Sequence, residues 1–146
     1  KCNPAVKTPA DREALREGLA NGLIDTIGSD HAPHLASEKE GSYTKVPSGL
    51  PSIQQSLPVL LTIAYSDGIP LTRIASVFSE NASDLYGLDR GKIKRGYAAD
   101  LVIFDYSKEF IVKKEDQLSK CGWTPYEGET LRGVIETVFI DGKPVG

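Results

Sequence analysis

The sequence predicts an α/β fold, on three observations. A helix-forming run at residues 9–20 passes through Asn21-Gly22 directly into an apolar, β-branched run at 23–28, the αβ unit from which parallel sheets and barrels are built. That second run stops abruptly at Asp30, His31 and His34, and α/β barrels display their reactive groups where strands end. From Gly91 onward helical spacing gives way to Gly-rich turns and β-rich runs. The expected organisation is therefore an αβ part at 1–90 and a β-rich part at 91–146.

Each element follows from local chemistry. Residues 1–7 are polar, and Asn3-Pro4 favours a turn. Thr8 caps the first helix, Pro9 suits its first position, and Asp11 lies near the positive end of its dipole. Leu23 to Gly28 reads as a buried strand. Pro33 turns Ala32 away from helix, so Asp30 to His34 reads as a turn. Residues 35–48 lack periodicity and form a loop long enough to be functional or mobile. Ile53, Leu57, Leu60, Leu61 and Ala64 keep helical spacing. Pro58 within that run leaves two readings, a start near Ser56 with Ser56 as cap, or a kink. Pro70 to Phe78 is a short amphipathic helix, and Ser79 or Asn81 caps another that Gly87 ends. Strands are expected at 101–105, 110–112 and 131–139, and Ile140-Asp141-Gly142-Lys143 carries the signal of a type I′ hairpin.

Bulk composition excludes several classes. The chain has 146 residues, 40% hydrophobic and 25% charged, with a formal net charge of -3, values typical of a globular domain with its own core. No basic stripe points to nucleic acid. Lys92, Lys94 and Arg95 read as a solvated turn. No apolar run is long enough to cross a bilayer, no secretory leader is expected, and a cytoplasmic setting follows. Cys2 and Cys121 fit no metal-finger spacing. Free thiols are expected, with a disulfide as the alternative. The chain opens Lys1-Cys2-Asn3-Pro4 without Met, so it is expected to be the C-terminal portion of a longer protein.

Both histidines of the chain stand within Asp30 to His34. Read as an isolated Asp-His pair, the bland alternative is the commoner one: Asp30 caps a following helix and the histidines are ordinary loop residues. The wider pattern shifts that balance. Ser29-Asp30-His31-Ala32-Pro33-His34 resembles the motif on the last barrel strand of dihydroorotases, in the amidohydrolase superfamily. Lys1-Cys2-Asn3-Pro4 resembles the family's Lys-x-Asn-Pro segment, although Ala5 and Lys7 depart from its Pro and Arg. Pro47-Ser48-Gly49 is similar to its Pro-x-Gly loop. Gly91 to Asp105 is similar to the superfamily signature that enters a small β-domain, where Asp100 and Asp105 are structural. Ser119 to Gly128 resembles a further family stretch, with Trp123 where Asn is usual, and reads as a packing loop.

The resemblance implies a fold and a chemistry. The fold is the C-terminal part of a metal-dependent hydrolase (β/α)8 barrel, plus strands of an adjoining small β-sandwich domain. The activity is reversible hydrolysis of the cyclic amide of dihydroorotate to N-carbamoyl-L-aspartate, in pyrimidine synthesis. Water is a poor nucleophile and an amide nitrogen a poor leaving group, so one or two zinc ions and a proton-moving carboxylate are required. Asp30 matches the catalytic aspartate, which is also a metal ligand. Asn3, His34 and Gly49 match substrate-binding positions, and His31 is expected to make a supporting hydrogen bond. Of the family's metal ligands this chain carries Asp30 alone, whereas a catalytic zinc takes about three protein ligands. The isolated chain is therefore expected to bind no zinc and to be inactive. Its expected partners are the small-molecule substrate, the rest of the barrel and copies of itself. The alternatives are a dihydropyrimidinase or allantoinase type of cyclic amidase, an inactive homologue serving as an assembly subunit, and a stand-alone small domain.

Overall fold

A computed structural model describes residues 1–145. Helix α1, Pro9–Ala20, begins as its sequence predicts. Thr8 accepts the Asp11 N–H, and the Asp11 carboxylate accepts the Thr8 N–H in return, so the two residues satisfy free main-chain donors reciprocally. Helix α2 runs Ser56–Asp67 behind a 3-10 turn at Ile53–Gln55. Pro58 lies in its first turn, where the missing N–H has no acceptor to lose, so the helix does not kink there. Ser56 is helical rather than the cap, and its hydroxyl donates to the Ser52 carbonyl.

The cap expected at Ser79 or Asn81, between helices α3, Leu71–Ala75, and α4, Asn81–Tyr86, does not form. Instead a π turn over Ser76–Glu80 carries one helix into the other without a break. The Asn81 side chain, free of capping, donates to the Asp25 carbonyl at 2.8 Å. Gly87 ends the run with φ 64°.

The strand expected at 23–28 is not part of a sheet. Among the described residues no strand lies beside it, and a ladder needs a neighbour. Helices supply its partners instead. Leu23 and Ile24 donate to Gly18, Ile27 donates to Val77, and the Arg73 guanidinium bonds the Leu19 and Ile24 carbonyls. Nor is the stretch buried as expected: Leu23 is 82% exposed, while Ile24 and Ile27 are half-covered against the core. Just beyond its end, one parallel bridge joins His31 to Leu50.

The sheet is antiparallel, in the order β1 (Leu101–Ile111), β2 (Thr130–Ile140), β3 (Lys143–Val145). Residues 110–112, expected as a separate strand, are mostly the far end of β1. The register slips after Ile103 and again after Asp105, and pairing then resumes from Glu109, as bulges permit. Asp141 and Gly142 both have positive φ, and Ile140 pairs with Lys143, the geometry of the hairpin read from the sequence.

The core comprises Leu19, Leu60, Leu61, Ala64, Ile69, Ile74 and Val77, with Phe104 and Tyr106 of the sheet packed on it. Gly133 of β2 has φ 91°, and a Cβ there would fall on Leu61 Cδ1. The strand therefore reaches α2 because this position has no side chain. Arg132 next to it donates its N–H to Thr62 Oγ1 and stacks its guanidinium 3.6 Å from the Tyr65 ring centre. The molecule is a mixed α/β structure, and the described residues form no barrel of their own.

Candidate active site

The segment after residue 28 is shaped by the loop that follows it. Ser52 Oγ donates to the Ser29 carbonyl at 2.6 Å. Asp30 takes φ 45°, a left-handed conformation that aspartate tolerates better than most residues, and the residue is exposed. The next residue faces inward. His31 Nδ1 accepts the N–H of Ser52 at 3.1 Å and of Ile53 at 3.2 Å. That makes Nδ1 an acceptor and places the ring proton on Nε2. The Ala32 N–H donates to Leu50, and the His34 N–H turns back to the Ala32 carbonyl around Pro33, each at 3.0 Å. Trp123 Nε1 donates to the His34 carbonyl at 2.8 Å, so the Trp123 loop packs against this turn. The His34 imidazole is half-exposed, with Nδ1 3.8 Å from the Glu38 carboxylate.

Two other segments meet this one. Gly49 is buried with φ 122°, and a Cβ there would overlap Ala32 Cβ. Only glycine allows loop 46–50 to seat so closely on the turn. The Gly49 N–H then donates to the Lys1 carbonyl at 2.9 Å, which draws the N-terminal segment onto the same loop. Asn3 lies two residues further along that segment and is exposed. Its bond to Pro4 is cis.

The fold thus gathers the stretches carrying Asn3, Asp30, His34 and Gly49 into one neighbourhood, tied by main-chain hydrogen bonds through Lys1, Gly49, Leu50 and Ala32. Among the described residues no hydrogen bond joins the side chains of Asn3, Asp30 and His34 to one another. A cleft of about 320 Å³ opens beside His31, lined by His31, Pro51, Ile53, Gln54, Gln117 and Leu118, and contains none of these four. Gln54 shapes its wall by bonding the Asp116 carbonyl and the Leu118 N–H.

The donors present do not make a metal site. Among the described residues no three His, Cys, Asp or Glu side chains are gathered for one ion. Nδ1 of His31 is spent on backbone donors. The Asp30 side chain offers a single carboxylate, short of the three protein ligands a catalytic zinc takes. These residues by themselves therefore do not fit a catalytic zinc. Cys2 and Cys121 are free thiols. Tyr126 lies near Cys2, and burial pushes its phenol above the usual value.

Sequence reasoning missed three residues that build this neighbourhood: Ser52, Gln54 and Lys39. Ser52 and Gln54 act through bonds to segments 23 and 62 residues away, for which spacing holds no signal. Lys39 ends a 3-10 turn, Ala36–Lys39, inside the stretch read as unstructured, and its ammonium reaches three carbonyls.

This chain has relatives among known proteins. It belongs to the amidohydrolase family, whose model matches residues 3–145. It is 40% identical over 147 residues to a dihydroorotase of Streptococcus thermophilus, covering 99% of this chain and 35% of that protein. It is 38% identical over 145 residues to a dihydroorotase of Aquifex aeolicus, covering 99% of this chain and 34% of that one. Among solved structures, the L-hydantoinase of Arthrobacter aurescens matches with a TM-score of 0.94 and 31% identity, over 100% of this chain and 34% of the other. The chain spans about a third of the length of the relatives it matches.

Proposed function

We propose that this chain is the C-terminal third of a dihydroorotase, which interconverts dihydroorotate and N-carbamoyl-L-aspartate. The observation that carries the reading is the joining of Lys1 to Gly49 and of Leu50 to Ala32. These bonds bring together the very segments that resemble dihydroorotase motifs. Identity of about 40% to dihydroorotases over nearly the whole chain supports the same substrate. In this reading residues 1–90 are the end of a (β/α)8 barrel and 91–146 belong to a small β-domain. On the same reading the rest of the barrel and copies of this chain are its partners, and Leu23, Ile53, Ile93 and Leu118 are exposed apolar positions available to them.

Asp30 takes a proton from the attacking water and delivers it to the departing ring nitrogen, as a positioned general base and acid does. Asn3 and His34 hold the substrate carboxylate, and the Gly49 main chain meets the ring. Asp30 would offer a zinc in such an enzyme one of its donors, the others would have to come from outside these residues, and the isolated chain is therefore expected to be inactive. The protein works in the cytoplasm.

A second reading, a dihydropyrimidinase-type amidase, is favoured by the structural matches to hydantoinases. Assay of the whole protein with added zinc on dihydroorotate, dihydrouracil and hydantoin decides between them. Turnover confined to the two neutral rings overturns the first reading, and turnover of none supports an assembly subunit.

A further inference from the structure

The Lys39 ammonium sits where two of the proposed substrate-binding segments meet. Its Nζ donates to the Pro47 carbonyl at 2.7 Å, the Gly49 carbonyl at 2.9 Å and the Lys1 carbonyl at 3.4 Å. An ammonium has three N–H donors and no acceptor, so this set uses all of them. The side chain is half-buried, and among the described residues it has no carboxylate partner. Burying a charge without a counter-charge costs free energy unless strong dipoles replace the lost water. Three converging carbonyls supply them. The Lys1 carbonyl also receives the Gly49 N–H, so one oxygen links Lys39, the N-terminal segment and loop 46–50.

We propose that Lys39 is a positioning residue. By gathering three carbonyls it holds Gly49 against Ala32 and holds the Asn3 segment against the Gly49 loop. The inference rests on the reading that Asn3 and Gly49 bind substrate. Lys39 touches neither the reacting atoms nor the substrate, and it acts through those two segments. Its location explains why a long polar side chain follows so soon after the Asp30–His34 turn. The 3-10 turn at Ala36–Lys39 brings the chain back, and the side chain spans from there to the loop. Methionine approximates the length but donates no hydrogen bond. Arginine keeps the charge, yet its planar fork cannot direct three N–H groups from a single atom.

The test uses the whole protein that carries this chain, comparing the wild type with K39M and K39R. Two readouts are taken: steady-state kinetics on dihydroorotate, and amide hydrogen exchange. In K39M the Gly49 amide and its neighbours at 46–50 are expected to exchange at least about tenfold faster, with the amides of α2 unchanged, because local opening is controlled by local contacts. KM for dihydroorotate is expected to rise about tenfold or more while kcat stays within about threefold, the signature of lost uniform binding. K39R gives an intermediate effect on both.

Unchanged exchange at 46–50 in K39M overturns the proposal whatever the activity. So does a fall in kcat with KM unchanged, or a loss of protection spread through α2, since either marks a general structural role. If the wild type does not turn over dihydroorotate, the functional reading has failed. The exchange data then still decide whether Lys39 holds the loop.

Discussion

The imidazole Nδ1 of His31 accepts the main-chain N–H of Ser52 at 3.1 Å. The same nitrogen accepts the Ile53 N–H at 3.2 Å. Through these bonds one side chain just past the apolar run fixes where the α2 segment begins. The histidine beside the proposed catalytic aspartate is therefore a structural acceptor. Neutral His31 is expected in the Nε2–H tautomer, which nitrogen NMR reads as a pyridine-like Nδ1. H31A leaves two main-chain donors without their acceptor and should cost about 1–3 kcal/mol in denaturant unfolding. A pyrrole-like Nδ1 would contradict the arrangement.

Asp30 carries the proposed proton transfer. D30N keeps the size of the side chain but cannot take a proton. In the whole enzyme kcat is expected to fall by about 10²–10⁴-fold, the range for loss of a general acid or base. The fold should be unaffected, because the Asp30 side chain makes no hydrogen bond among the described residues. A variant with more than about a third of wild-type kcat would remove Asp30 from the mechanism.

The seam between α2 and the sheet rests on Leu61 and Gly133. Leu61 is fully buried, and Gly133 gives it room. L61A should cost about 2–5 kcal/mol by opening a cavity. G133A adds a methyl where Leu61 Cδ1 already lies and forces alanine to φ 91°, so it should cost at least about 1–3 kcal/mol. Thermal or denaturant unfolding measures both. A G133A variant as stable as wild type would mean that β2 does not approach α2 this closely.

Asp105 gives a pH-dependent signal remote from the site. Its carboxyl is held down to about 2, first by the Ser107 hydroxyl, then by Lys108 and the Ser107 N–H. A carboxylate whose folded value lies below its ordinary 3.8 contributes stability above that ordinary value. The contribution fades as pH falls from about 4 toward about 2. S107A should move the Asp105 titration, followed by carboxyl-carbon NMR, upward toward the ordinary carboxylate value. An unmoved titration would assign the shift to Lys108 and the Ser107 N–H, which the substitution leaves in place.

Sequence reasoning reached the elements whose causes are local. Thr8 and Asp11 cap α1 within four residues of each other, and Asp141-Gly142 builds its hairpin from its own backbone preference. It failed where an element depends on something distant. Residues 23–28 have strand chemistry, yet the described chain offers them helices and no ladder. Ser79 and Asn81 look like caps, but Asn81 is drawn to Asp25 while a π turn joins the helices.

By itself the sequence determined the residue types of the candidate site, the caps and hairpin, and the family motifs, because these depend on side-chain chemistry and short-range backbone preference. The tertiary structure alone decided that Gly49 seats on Ala32, that His31 faces Ser52, and that Lys39 joins Lys1 to Gly49. Those arrangements depend on which side-chain and main-chain donors and acceptors come within about 3 Å of one another, and on the close seating of Gly49 on Ala32. Hydrogen bonding is that short-ranged, so contacts between residues tens of positions apart leave no periodic trace along the chain.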